Sequence, residues 1–475
     1  MESAINYLNG LIWSPALIYL CLGAGLYFSV RTRFPQVRHF TRAARLLFSS
    51  SATDRGVSSF QAFALAVSGR VGTGNIAGVA TAIAFGGPGA IFWMWVIAFV
   101  GAGSAFVEAV LAQIYKEEIN GQFRGGPSYY IERGLKMKWY AVLFAGATLL
   151  AAGIFMPNVQ ANSIGAAMET AFAVPRWLTG AGVAGLIALI IFGGTKRISA
   201  AAQLIVPFMA IGYVLVAAVV IAMHLQEVPA VFALIVKSAF GGGAVFGAVV
   251  GQAVAWGVKR GVYSNEAGQG TAPMAAAAAE VRHPAEQGLV QAFSVYFDTW
   301  FICSATAFMI LLTGTYNVVD SAGTVLHEGV RGMEIGPAYT QAAVDSALPG
   351  FGKGFVAVAL FFFAFTTIMA YYYYAETSLA YLKKESTRPW MLHGLRTIFV
   401  VVVYFGTSHT AELAWAMGDI GVGLMAWLNL IAILLLARPA IACLRDYEQQ
   451  IKSGQPVRYA PPAEMDEKCQ SIWRR

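Results

Sequence analysis

Charge is scarce in this chain. Asp, Glu, Lys and Arg make up 12% of its 475 residues, where soluble domains carry about 25%. So little charge cannot keep two or three domains of this size in water. Disorder is excluded as well, because 57% of the residues are hydrophobic and disordered segments are poor in such residues. Cysteine is also scarce: Cys21 and Cys303 sit in apolar runs, and Cys443 and Cys469 lie near the basic end. No Cys-x-x-Cys pair occurs, so neither a disulfide framework nor a zinc site is indicated. The histidines are scattered, at positions 39, 224, 283, 327, 393 and 409, and neither His-Glu-x-x-His nor Gly-x-Ser-x-Gly is present. Catalysis needs positioned partners of this kind, so the sequence does not read as an enzyme. It holds no repeated filter loop of the kind that builds an ion channel.

What is present is apolar sequence in long runs. A spanning helix needs about 20 mostly apolar residues. Eleven segments qualify: 11–30, 60–86, 88–114, 139–173, 177–195, 199–223, 243–279, 287–314, 351–382, 391–407 and 412–437. Val231 to Phe240 reads as an amphipathic stretch lying in the interface. The first span is not a cleaved signal peptide, since Met1 to Gly10 holds no Lys or Arg and no Ala-x-Ala site follows. The fold class expected is an all-α polytopic membrane protein.

Basic residues orient such a protein, because Lys and Arg concentrate in cytoplasmic loops. Arg31, Arg33, Arg38, Arg42, Arg45 and Arg55 follow the first span. Every second loop continues the pattern, down to Lys383, Lys384, Arg388 and Arg396 and a basic tail from Arg438. Together these loops hold 25 of the 32 basic residues. The opposite loops hold only Arg176, Lys237, Arg331 and Lys353. The N-terminus is therefore expected outside and the C-terminus in the cytoplasm. The net charge of +7 is mostly topological, and no folded basic face points to nucleic acid.

Two spans are interrupted at matching places. The second carries Gly69, Gly72, Gly74 and Gly78 at mid-depth, beside Arg70, Thr73 and Asn75. The seventh carries Gly257, Gly261, Gly268 and Gly270, beside Ser264, Asn265 and Glu266. Glycine disfavours a helix interior by about 1 kcal/mol. Close helix packing is the plainer use of membrane glycines, but it does not account for polar residues at the same depth. Non-helical backbone at that depth is tolerated where it is buried or lines a cavity. Five spans separate the two interruptions. Five is odd, so spans 2–6 and 7–11 would run in opposite senses as an inverted repeat, and paired interruptions of this kind mark a transporter binding site. The expected organisation is residues 1–59 as an extra helix and basic loop, 60–223 and 224–437 as the two repeats, and 438–475 as a cytoplasmic tail.

A broken helix presents carbonyls at one new end and N–H groups at the other, with about half a charge of each sign. Carbonyls near Ser68 and Val71 would favour a cation. N–H groups from about Gly74 would favour a carboxylate. Thr366 and Thr367, at mid-depth in the ninth span, could complete the cation site, although a membrane threonine also commonly bonds its own helix. Gln160 and Asn75 could bind a carboxylate or an amine. Arg70, Glu108, Glu266, Asp298, Glu376 and Asp419 are intramembrane charges, which usually face partners or cavities. Arg70 has three candidate partners in Glu108, Glu266 and Asp298. Glu108 and Glu376 lie near the cytoplasmic ends of their spans, where gating pairs form.

Several strings resemble one family. They are Val71-Gly-Thr-Gly-Asn-Ile-Ala-Gly-Val-Ala, Phe85-Gly-Gly-Pro-Gly-Ala-Ile-Phe-Trp-Met-Trp, Val159-Gln-Ala-Asn-Ser-Ile, Ser264-Asn-Glu-Ala-Gly-Gln-Gly-Thr-Ala-Pro and Thr366-Thr-Ile-Met. In this order, over about residues 11 to 440, they resemble the sodium:alanine symporter family, also called the alanine or glycine:cation symporters. The resemblance implies a LeuT-like 5+5 inverted repeat with one extra N-terminal helix, in a bacterial inner membrane. It implies sodium-coupled import of alanine or glycine, with Na+ as the coupling ion and no organic cofactor. On matching positions it places substrate at Asn75 and Gln160, with Thr73, Gly74, Tyr263, Thr367 and Tyr371 nearby. It places sodium at the carbonyls of Ser68 and Val71 and at Thr366 and Thr367. The family often has Gly-Trp where this chain has Ala370-Tyr371, which makes that pocket wall smaller and adds a hydroxyl. Proton coupling on the same fold is the alternative that the buried carboxylates raise.

Overall fold

The computed structural model describes residues 2–49, 53, 55–241, 250–320, 322–383, 389–462 and 467–473. Residues 243–249 of the expected seventh span lie outside them, as do Lys384, Arg388, Arg474 and Arg475. The chain is helical almost throughout. Among the described residues, seven helices are long and apolar enough to cross a membrane: Ala4–Arg31, Gly89–Ile114, Lys138–Phe172, Gly194–Met223, Pro284–Thr313, Gly352–Lys383 and Ala411–Leu435. The other four expected spans are shorter or divided. Two are the helices Arg176–Ile191 and Pro389–Gly406. The remaining two are the interrupted pair: Ser59–Arg70 followed by Gly74–Gly86, and Val250–Asn265 followed by Ala272–Ala277.

Small residues set the helix spacing. A Cβ on Gly25 would lie 2.9 Å from the Val100 carbonyl, so the first span rides directly on the backbone of the third. Apart from such contacts the interior is filled by Ala, Val, Ile, Leu and aromatic side chains. Pro284–Tyr296 and Val250–Asn265 both pack on Gly89–Ile114. Met156–Phe172 packs on Gly352–Lys383 and Ala411–Leu435, and Gly352–Lys383 also meets Gly194–Met223. Arg176–Ile191 packs on Pro389–Gly406. The amphipathic stretch is the helix Val228–Ala239, whose buried side lies against Gly89–Ile114.

Among the described residues there are three π turns: Gly74–Gly78 opens the half-helix Gly74–Gly86, and Ala151–Phe155 and Phe297–Cys303 widen long helices near their middles. The second comes just before Pro157, which has no N–H to give to a regular ladder. Turns of this type recur at functional sites. Outside the spans, a short hairpin pairs Glu117–Ile119 with Gln122–Arg124. Its Asn120-Gly121 turn has positive φ at both residues, the geometry that right-twisted two-residue hairpins require. The chain after the last span does not trail away. Helix Ala437–Ser453 packs on the third and eighth spans, and Tyr459 N–H bonds the Arg282 carbonyl.

Candidate substrate and cation site

The second span starts on a capping box, in which Ser58 and Gln61 bond each other's backbone N–H. It stops after Arg70, where Val71 leaves the helical region at φ −80°, ψ 89°. The break frees two donors and two acceptors. Gly72 N–H is taken by Asn75 Oδ1 at 2.8 Å, and Thr73 N–H by Gln160 Oε1 at 2.9 Å. The acceptors are the carbonyls of Ser68 and Val71, which lie 2.8 and 3.3 Å from Thr367 Oγ1. The Phe363 carbonyl is 3.0 Å from the same hydroxyl. A hydroxyl has one hydrogen to give, so at most one of the three carbonyls is fully served. Oxygen lone pairs from two segments thus converge on one point, an arrangement suited to a hard cation. Gly72 must be glycine here: a Cβ would lie 2.9 Å from Gln160 Oε1 and 3.1 Å from Thr367 Cβ.

Thr366 is not brought to this point. Its hydroxyl donates to the Phe363 carbonyl at 2.9 Å and faces Met209 Sδ. Of the two neighbouring threonines, only Thr367 faces the break.

The seventh span breaks after Asn265. Glu266, Gly268 and Gly270 all have positive φ. The Asn265 side chain caps Ala267 N–H at 3.0 Å. Gly268 is held at both ends: its N–H donates to Glu108 at 3.2 Å and its carbonyl accepts from Asn429 at 2.9 Å. Asn429 also donates to Glu108 at 2.7 Å, and the Tyr130 hydroxyl bonds Asn429. Glu108 therefore fixes the second break rather than pairing with Arg70.

One carboxylate joins the two breaks. Asp298, on the π turn of the eighth span, accepts from Asn75 Nδ2 at 2.6 Å and from Ser264 Oγ at 2.9 Å. Thr299 Oγ1 donates to it at 2.8 Å. Gly74 is seated against Ser264, where a Cβ would be 3.2 Å from its Cα.

The substrate residues expected from the sequence gather at this crossing. Thr73 and Gln160 bond each other, Gly74 abuts Tyr263, and Tyr263 and Tyr371 both face the Gln160 side chain. All seven, including Asn75 and Thr367, are buried. Thr73 Oγ1 and Tyr263 Oη have no hydrogen-bond partner among the described residues. Buried polar atoms are normally satisfied, so these two are free to receive a ligand.

Three arrangements go beyond what the sequence alone indicates. Asp298 appears there only as a possible partner for Arg70. The Trp415 ring lies 5.1 Å from that of Tyr263, tilted by 47°, and forms an aromatic wall. Arg260 lies 4.2 Å over the Trp415 ring and forks onto Asp419 at 2.7 and 3.1 Å, with Lys259 joining at 2.7 Å. The signal for the last cluster is an acid in the eleventh span and two adjacent bases in the seventh.

The two ends of the molecule differ. At the end bearing the basic loops, Arg124 NH2 meets Glu376 Oε1 at 2.6 Å, with both side chains 8% exposed. Arg124 also donates to Thr377 and Thr195 at 2.9 and 3.0 Å. Burial opposes the Arg124 charge, but Glu376, Tyr373 and Tyr129 together outweigh it and hold the guanidinium pKa above its ordinary value. At the opposite end, a cavity of about 320 Å³ lined by Asn162, Ser163, Arg331, Glu334 and Gln341 reaches Trp415.

Residues 1–460 match the model of the family described as the sodium:alanine symporter family. The carrier protein YrbD of Bacillus subtilis strain 168 is 59% identical, over 98% of this chain and 96% of its own. The sodium/proton-dependent alanine carrier protein of Bacillus sp. strain PS3 is 51% identical, over 86% of this chain and 92% of its own. Among solved structures, a manganese transporter of Eremococcus coleocola shares the fold. Its TM-score is 0.55 at 11% identity, covering 86% of this chain and 92% of that one. The family and these relatives make the chain a multi-pass membrane transporter, not an enzyme. The chain belongs to the sodium:alanine symporter family.

Proposed function

We propose that this protein imports a small neutral amino acid, alanine and also glycine, together with sodium across the bacterial inner membrane. The observation that carries the reading is the convergence of the Ser68 and Val71 carbonyls on Thr367, directly beside a crossing lined by Thr73, Asn75 and Gln160. Sodium takes the carbonyl point. Thr366, which bonds its own helix, can add only its hydroxyl oxygen after turning. The substrate carboxylate takes the N–H groups of Gly72 and Thr73, which amide side chains now hold and an anion can replace. The positive end of the half-helix favours it. Tyr263, Tyr371 and Trp415 bound the pocket, which favours a side chain no larger than a methyl group or two. Both relatives above bear names of sodium/proton-dependent alanine carriers.

Exchange between spans 2–6 and 7–11 supports an inverted repeat. Span 4 packs on span 11 as span 9 packs on span 6, and span 3 meets span 7 as span 8 meets span 2. Alternating access then opens the crossing first at the Trp415 side and next at the Arg124–Glu376 side. With the charged loops read by the positive-inside rule, the second of these is the cytoplasmic side and the N-terminus lies outside.

The test is equilibrium binding of labelled alanine to the purified protein, in sodium and in choline, with glycine and serine as competitors. Tight binding in sodium alone, displaced by glycine, is expected. Equal binding in choline would refute sodium coupling, and failure of every small neutral amino acid to compete would refute the substrate class.

A further inference from the structure

Beside the Arg124–Glu376 pair, at the end bearing the basic loops, lies a second cavity of about 220 Å³. Its polar lining is Arg55, Gln61, Gln122, Thr195, Lys196 and Ser199. The walls come from the loop before the second span, the hairpin, the start of the sixth span and the end of the seventh. They are fixed to one another. Val57 N–H bonds the Ala278 carbonyl at 2.9 Å, and Glu280 N–H bonds the Val57 carbonyl at 3.0 Å. Arg55 is held 5.6 Å over the Phe123 ring of the hairpin. Arg124 NH2 donates to Gln122 at 3.2 Å and to Thr195 at 3.0 Å, so two lining residues also support the buried pair.

Two independent observations mark the cavity as an anion site. The 30-residue helix Gly194–Met223 starts here, and no side chain caps its first N–H groups. Such an end leaves four N–H groups without helical partners, carries about half a positive charge and suits a phosphate. The second observation is Ser199, one turn further in. It is 1% exposed, and its hydroxyl has no partner among the described residues. Buried polar atoms are normally satisfied, and a ligand in the cavity would satisfy this one.

The surrounding charges leave one cation over. Arg124 is taken by Glu376, Arg55 meets Glu118 at 3.4 Å, and Lys116 feels the Glu280 carboxylate, which also bonds Thr53. Lys196 forms no ion pair among the described residues.

The helix also indicates where the anion comes from. Further along it, Leu204, Phe208, Ile211 and Leu215 are each more than half exposed. Their spacing of four, three and four makes one outward apolar stripe. Around the helix, Lys196 falls between Thr195 and Ser199 on the cavity side and this stripe on the other. A phosphate in the cavity can therefore carry an acyl chain on the stripe.

We propose that this cavity binds the phosphate of an anionic phospholipid. Lys196 and Arg55 meet its oxygens, the N-terminal turn of Gly194–Met223 and the Ser199 hydroxyl donate to it, and its chain lies along Leu204 to Leu215. Basic pockets between membrane helices hold such headgroups. The bound phosphate ties the Arg55 loop to the start of the sixth span, next to Arg124–Glu376. The site is independent of which solute and which ion are transported.

Native mass spectrometry of the full-length protein in detergent tests this, with phosphatidylglycerol, phosphatidylcholine and inorganic phosphate as probes. One phosphatidylglycerol should be retained in preference to phosphatidylcholine, and excess inorganic phosphate should not displace it. K196Q should weaken retention about fivefold, the worth of one lysine beside an anionic lipid. R45Q, at an exposed position of the loop that carries Arg55, should not. Ser199→Ala removes a buried, unpaired hydroxyl, so its thermal midpoint in phosphatidylcholine should be no lower than that of the wild type. Its gain from phosphatidylglycerol should be smaller. Equal retention of the two lipids, a loss in K196Q no greater than in R45Q, or a full gain in S199A would overturn the proposal. Displacement by inorganic phosphate would overturn it too, by assigning the cavity to a free anion.

Discussion

Asn75 ties the first break to the eighth span: its side-chain oxygen caps Gly72 N–H at 2.8 Å, and its side-chain nitrogen donates to Asp298 at 2.6 Å. Through Asp298 the link reaches Ser264, at the end of the helix that precedes the second break. Replacing Asn75 by Ala leaves one buried N–H unpaired and takes one donor from a buried carboxylate. Each such loss costs about 1–3 kcal/mol. Alanine affinity of the purified variant should fall tenfold or more while the protein still inserts, and unchanged binding would show that the crossing is not the substrate site.

The two threonines give a sharper contrast. Thr367→Val removes the hydroxyl that faces the Ser68 and Val71 carbonyls. Thr366→Val removes one that bonds its own helix. The sodium concentration for half-maximal uptake should rise about tenfold in T367V, equivalent to about 1.4 kcal/mol, and much less in T366V. The reverse order would place the cation elsewhere.

Much of this was legible in the sequence. The glycines and polar residues at matching depths located both breaks, because few other arrangements tolerate Gly69, Arg70, Gly72 and Asn75 in one apolar span. Other parts were not legible. Thr366 and Thr367 are one residue apart and point about 100° apart on a helix, and no composition rule says which faces the break. Asp298 looked like a counter-ion for Arg70, since the π turn that swings it onto Asn75 has no local signature. The hairpin is signalled in the sequence only by Asn120-Gly121. The tail is polar enough to read as solvated, yet it packs on the body through Cys443, Leu444 and Tyr447.

The Arg124–Glu376 pair should behave as a buried ion pair. Breaking such a pair from one side costs about 3–5 kcal/mol, whereas replacing both partners with apolar groups is often neutral. E376Q should lower the thermal unfolding midpoint in detergent, and the double variant R124M/E376L should recover a good part of it. Equal loss in both would mean that the pair does not act as a unit.

His283 makes docking of the tail sensitive to pH. Its Nδ1 accepts from Ala285 N–H at 3.2 Å, and its Nε2 bonds Asp446 of the tail helix at 3.0 Å. That pattern needs the neutral ring with its hydrogen on Nε2, a tautomer assigned from these bonds. Burial lowers the pKa of the ring below 6.5, with Asp446 acting in the opposite sense. The undocked ring therefore takes up a proton more readily than the docked one, and docking weakens as pH falls through about 6.5. Limited proteolysis of residues 437–473 should quicken as pH falls through that range, and His283→Asn should remove the dependence. A rate independent of pH in the wild type would refute it.

Sodium-driven accumulation is the central claim, and purified protein in liposomes tests it most directly. With an inward sodium gradient, labelled alanine should accumulate inside above its outside concentration, and replacing sodium with choline should reduce uptake to that of empty liposomes. Accumulation that persists in choline at equal pH on both sides, or alanine that only equilibrates in the presence of the sodium gradient, would contradict it.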